Sequence, residues 1–270
     1  MRLQAISIAS NIRARPDYRA LLELGSKLEE YIDELPAHAK LAHASSNGAG
    51  RLVGQMILDK YLRRTLACLY RPFALGAVDD ELFLDGRRAC IRNALTILNQ
   101  QDIWDPDVAD LKIINSRLYW DVYYTISIVD IMEAALTVCL EIKALSEASS
   151  NEDMASRQNT NSQLVWRNRP TLQWTKASLT RTVENTLNCL LRRLDDPRTD
   201  LKDALALSMA LQSARSAGDQ ETTDSLMIAG ATTVIKACRQ HFYGSSGAVN
   251  SLEKQRNVVI TLLVKLVEQI

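Results

Sequence analysis

The side chains best suited to chemistry are few and scattered. The cysteines are Cys68, Cys90, Cys139, Cys189 and Cys238, and the histidines are His38, His43 and His241. No two cysteines form a CxxC pair, and an odd number cannot all pair within one chain. Four lie inside apolar helical stretches and Cys90 borders the apolar run from Ile91, as expected of free buried thiols in a reducing compartment. His38 and His43 straddle a helix stop five residues apart, so they do not share a helical face. Cys238 and His241 stand one helical turn apart, a spacing that suits two metal ligands, but a structural site needs about four. They read as a buried thiol beside an exposed imidazole. The glycine cluster Gly48-Ala49-Gly50-Arg51-Leu52-Val53-Gly54 is one residue too long for a dinucleotide fingerprint and follows no strand, so it reads as a loop entering a helix. No GxSxG nucleophile pattern occurs.

The elements that must carry these residues are helices. In 270 residues there are ten Gly and six Pro, too little punctuation for the turns of an all-β fold. With 47% hydrophobic and 24% charged residues, the chain can bury a sizeable core and stay in solution. Basic and acidic residues balance at 32 each, so bulk charge marks neither a nucleic-acid nor a membrane surface. The doublets Arg63-Arg64, Arg87-Arg88 and Arg192-Arg193 read as solvated helix faces. An amphipathic stripe runs through Leu21, Leu24, Leu28, Tyr31, Ile32 and Leu35 and stops at Pro36. A second helix is expected from Arg51 to Tyr70, ending before Pro72, and a third from Asp80 to Gln100. Asp105 is placed to cap a new helix with Pro106 in its first turn.

The stretch from Leu118 to Leu145 is the most apolar of the chain. Asp121, Asp130, Glu133 and Glu141 spread along it, and each costs ~2.5–3.5 kcal/mol near a bilayer centre, so it reads as a central, nearly fully buried helix rather than a membrane span. From Ser146 to Pro170 the composition turns to Ser, Asn, Gln, Glu and Asp, which predicts a disordered insertion over 146–170. Helical stripes resume at Leu179 to Leu194, Leu201 to Leu211, Leu226 to Cys238 and Leu252 to Ile270. The expected architecture is all-α, an irregular multi-helix domain around a central apolar helix, with residues 1–16 as an N-terminal extension and 17–270 as the domain.

Four segments carry a family resemblance. Leu28-Glu29-Glu30-Tyr31-Ile32-Asp33-Glu34-Leu35-Pro36 is followed, after a polar gap, by Gln55 to Leu69 and then Tyr70-Arg71-Pro72-Phe73. Cys90, Ala94 and Leu98 come next, then Ile131-Met132-Glu133-Ala134-Ala135-Leu136-Thr137-Val138-Cys139-Leu140. This order resembles the middle-homology regulatory region of fungal-specific transcription factors of the zinc binuclear cluster family, with Tyr70 where the family usually has His. Leu35, Pro36, Arg71, Pro72 and Phe73 are the motif residues, and their expected role is structural. Pro72 ends a helix, Phe73 folds back into the core and Arg71 reaches helix-end carbonyls.

The resemblance implies a nuclear regulatory domain that controls transcription and is not an enzyme. It implies no cofactor in this chain, with zinc only in an upstream DNA-binding module that this sequence lacks. DNA is then reached indirectly, and a homodimer, a coregulator protein or a small-molecule effector are the implied partners, with no membrane. Should an effector bind, Tyr119, Trp120, Tyr123 and Tyr124 are the residues expected to line its pocket, against the simpler reading of core packing. Two other functions are weighed. One is a helical protein-interaction scaffold with no link to DNA. The other is a terpene-cyclase-like enzyme, for which Asp79-Asp80-Glu81 is the nearest metal motif, but Phe83 stands where the DDxxD spacing needs a carboxylate.

Overall fold

A computed structural model describes residues 18–41, 49–74, 83–105, 116–158, 174–194, 201–216 and 220–244. Its regular elements are helices: α1 (Tyr18–Glu34), α2 (Ala49–Ala74), α3 (Leu84–Asn99), α4 (Gln101–Trp104), α5 (Ser116–Gln158), α6 (Lys176–Arg192), α7 (Leu201–Arg215) and α8 (Gln220–Gly244), with a 3₁₀ turn at Ala37–Ala39. The fold is all-α. The helices expected near residues 106–115 and 252–270 lie outside the described residues.

Each helix has a local reason. In α1, Leu21, Leu28 and Ile32 share one buried face, and Pro36 closes the element because the residue before a proline is pushed out of helical geometry. Helix α6 starts on a capping box. The Ser178 amide donates to Thr175 Oγ1 at 3.1 Å and the Thr175 amide donates to Ser178 Oγ at 3.0 Å, which satisfies two otherwise orphaned donors.

Two apolar clusters organise the packing. The smaller joins Leu21, Leu28 and Ile32 of α1, Leu62, Leu66, Leu69 and Tyr70 of α2, and Ala89 and Cys90 of α3. The larger is built on α5, with Trp120, Tyr123, Ile131, Ala135, Val138 and Ile142 meeting Ile97 of α3, Val183 and Leu190 of α6, and Leu207 and Leu211 of α7. Helix α5 packs against α2, α3, α4, α6 and α7.

Several expectations are corrected here. Helix α2 does not stop before Pro72 but runs through it to Ala74. A proline two residues from a helix end forfeits a single hydrogen bond, a small loss in a turn already fraying. Helix α5 continues to Gln158, so residues 146–158 are helical, and 159–170 of the expected insertion lie outside the described residues. Extending a formed helix is far easier than nucleating one, and the buried Ser146 hydroxyl anchors the extension by hydrogen bonding to the Ile142 and Ala214 carbonyls at 2.8 and 2.9 Å. Nor is α5 nearly fully buried, because Leu118, Val122, Ile126, Val129, Leu136 and Leu140 are exposed on one of its faces. Asp105 is the C-terminal cap of α4 and is buried, while the helix it is expected to cap from Pro106 lies outside the described residues.

Candidate functional site

Four acids of α5, Asp121, Asp130, Glu133 and Glu141, each meet a base from another helix. Lys60 of α2 is among the most enclosed of these bases. Its ammonium lies 3.1 Å from Asp130 Oδ2 and donates to Ser127 Oγ at 2.8 Å and to the Ile126 carbonyl at 3.1 Å. Three donors therefore find three acceptors, as a buried ammonium requires. Arg64, one turn further along α2, holds Asp130 Oδ1 at 2.9 Å and lies 3.8 Å from Glu133. Arg71 donates to the same Glu133 carboxylate at 3.3 Å. Arg87 of α3 donates to the buried Glu141 at 2.6 Å, and Arg193, at the end of α6, donates to Asp121 at 2.8 Å.

The basic doublets thus do not lie wholly on solvated faces. The side chains of Arg87 and Arg193 are 12% and 4% exposed, because the buried Glu141 and the half-buried Asp121 of α5 draw them in. A readable signal marked Lys60 in advance. It follows Leu52 and Met56 at intervals of four, placing a charge on the core-facing stripe of α2.

The aromatic residues considered for an effector pocket pack in the core. Trp120, Tyr123 and Tyr124 are buried, while the side chain of Tyr119 lies outside the described residues. Trp120 and Tyr124 meet edge to face at 6.2 Å, and the Arg193 guanidinium stacks over both rings, 4.9 Å from Trp120 and 4.5 Å from Tyr124. Tyr124 donates to Gln101 Oε1 at 3.4 Å, and Gln101 donates to Thr186 Oγ1 at 3.1 Å. Burial pushes the Tyr124 hydroxyl above its ordinary range. This arrangement clamps α4, α5 and α6 together.

Beside it, Asp105 pairs with Arg192, and the Cys189 thiol lies 3.6 Å from the Asp105 carboxylate and 3.3 Å from Arg192. Burial pushes Cys189 up to about 11 even with that guanidinium alongside. A thiol so protonated is a poor nucleophile.

The motif residues divide. Leu35 packs against the smaller core cluster and Pro36 is exposed after α1. Arg71 binds Glu133 rather than helix-end carbonyls, because α2 has not yet ended there. Pro72 is exposed, and the side chain of Phe73 lies outside the described residues. Cys90 donates weakly to the Ala67 carbonyl at 3.4 Å, fastening α3 to α2.

Among the described residues, no three His, Cys, Asp or Glu side chains converge as metal ligands, and no helix is long and apolar enough to cross a membrane. Comparison with protein-family models, curated proteins and solved structures finds no match.

Proposed function

We propose that this chain is the regulatory domain of a fungal-type transcription factor of the zinc binuclear cluster class, acting by binding rather than catalysis. The observation that supports this reading is where the phrases of the resemblance meet. Leu28 and Ile32 of the Leu-Pro helix, Leu66, Leu69 and Tyr70 before the Arg-Pro step, and Cys90 share one cluster, and Arg71 bonds Glu133 of the Ala-Ala phrase. The first two phrases and Cys90 thus pack in the smaller cluster, and the Arg71–Glu133 bond ties them to α5, whose Ala-Ala phrase lies in the larger one. A unit of packed helices tied by ion pairs is suited to passing a binding event from one face to another, provided that the bound and free states differ in packing.

In this reading the domain works in the nucleus, reaches DNA through an upstream zinc-bearing module, and alters transcription through an effector or coregulator. A helical interaction scaffold with no link to DNA is the second reading, favoured by the exposed apolar face of α5. A fusion experiment separates them. Joined to an unrelated DNA-binding module at a reporter in a fungal cell, the chain changes reporter output several-fold. Output equal to that of the module alone contradicts the regulatory reading.

A further inference from the structure

Helix α5 has two apolar faces, and they lie on opposite sides of it. Leu118, Val122, Ile126, Val129, Leu136 and Leu140 are exposed, six of the eight large apolar side chains so placed among the described residues. Trp120, Tyr124, Ile131, Ala135, Val138 and Ile142 are buried in the larger cluster. At about 100° per residue the outer six span an arc of about 80° and the inner six about 60°, with their centres roughly half a turn apart. From position 126 onward the outer face, with Ile126, Val129, Leu136 and Leu140, is at least as bulky as the inner one, with Ile131, Ala135, Val138 and Ile142. Burial of carbon alone therefore does not choose which face turns inward there.

The charges do distinguish them. Measured around the helix from Ile131, Asp130 and Glu141 stand about 80–100° to one side and Asp121 about 80° to the other. The bases that hold them come from three different helices. Lys60 of α2 lies 3.1 Å from Asp130 Oδ2, Arg87 of α3 donates to Glu141 at 2.6 Å, and Arg193 at the end of α6 donates to Asp121 at 2.8 Å. Rotating α5 by half a turn exchanges the two apolar faces but carries all three acids to the opposite flanks. Lys60 would then lose Asp130, Ser127 and the Ile126 carbonyl together, since all three belong to α5. Glu133, on the outer face, would be carried inward. A buried pair adds little stability over an apolar one, whereas a buried charge parted from its partner is strongly destabilising.

We infer that the ion pairs flanking the inner face of α5, rather than apolar burial, select which face turns inward and so lock the helix in rotation. The lock does not depend on what the chain regulates. A long helix with two usable faces and charges that choose between them is a two-state element, because breaking the pairs leaves it a second packing of comparable apolar content.

Two reporter thiols read the rotation in the full chain carrying Cys68→Ser, which removes the half-buried native thiol and leaves the buried ones. Val129→Cys lies on the outer face and Val138→Cys on the inner. Toward a water-soluble disulfide reagent, the Val129→Cys chain reacts fast and the Val138→Cys chain slowly. Asp130→Lys/Glu141→Arg sets like charges against Lys60 and Arg87. It is expected to slow the first reaction and speed the second, each at least ~10-fold. Adding Lys60→Glu/Arg87→Glu rebuilds both pairs with their signs exchanged and brings both rates back, a rescue that a simple loss of packing does not give. Circular dichroism shows which variants keep their helices. Should the reversed acids prevent folding, Asp130→Asn/Glu141→Gln replaces them and moves both rates in the same directions by less. Unchanged rates in the folded variant overturn the proposal. So do two thiols that both react fast, which is loosening without rotation, and a sign exchange that restores neither rate.

Discussion

Arg71 near the end of α2 and Glu133 midway along α5 are joined by a 3.3 Å hydrogen bond across 62 positions of sequence. Their side chains are 31% and 35% exposed, so solvent screens much of the attraction. Arg71→Ala is expected to lower stability by about 0.5–1 kcal/mol in urea unfolding at neutral pH, and Arg71→Lys by less. Glu133 keeps Arg64 in either variant, which limits the loss.

Lys60 and Asp130 behave differently because both are buried. Removing one partner leaves a charge enclosed, and Lys60→Ala is expected to cost about 3 kcal/mol, the low end of the range for a broken buried pair because Asp130 keeps Arg64. The double variant Lys60→Met/Asp130→Leu, which leaves neither charge, should lie within about 1 kcal/mol of wild type. A double-mutant cycle from urea midpoints checks both figures. Equal losses in the single and double variants would show that packing, not charge, sets the cost.

Gly25 leaves room for the ring of Tyr70. A Cβ built on Gly25 overlaps the Tyr70 hydroxyl and stands 2.5 Å from the ring carbon that bears it. Gly25→Ala is therefore expected to destabilise by about 1–3 kcal/mol through overpacking. Tyr70→Phe in that background recovers part of the loss, since the ring itself still crowds the new methyl. Thermal unfolding of the single and double variants measures the difference.

Alkaline pH should loosen the fold. Burial pushes the thiols of Cys90 and Cys139 from an ordinary 9.0 up to about 12, and raises the Tyr70 hydroxyl from 10.0 to about 12. The folded state holds these protons more tightly than the unfolded chain does. Their contribution to stability is complete below pH 9 and is lost as pH rises toward 12. The same shift leaves roughly a thousandfold less thiolate on Cys90 and Cys139 at pH 8, so a disulfide reagent should label them only after denaturant is added. Fast labelling of either thiol in the native chain would contradict this burial.

Helix existence and type were the most legible features of the sequence. The stripe of α1 and its stop at Pro36 follow from spacing and proline sterics alone. Helix ends were less legible, since Pro72 and the polar residues 146–158 both fall inside helices. In α5 apolar residues lie on every side, so periodicity could not say which face turns outward. The buried bases were half legible. Lys60 interrupts a core stripe, a local signal, whereas Arg87 and Arg193 are drawn inward by acids on α5, more than fifty positions away, that no local pattern reveals. The aromatic cluster was found by composition, but its packing under Arg193 depends on α6 returning to the start of α5.

The most direct test of the regulatory reading is chromatin occupancy of the tagged native gene product in its host. The account predicts reproducible promoter peaks that disappear when the upstream zinc-cluster region is deleted. A product that stays in the cytosol and gives no promoter peaks would contradict it.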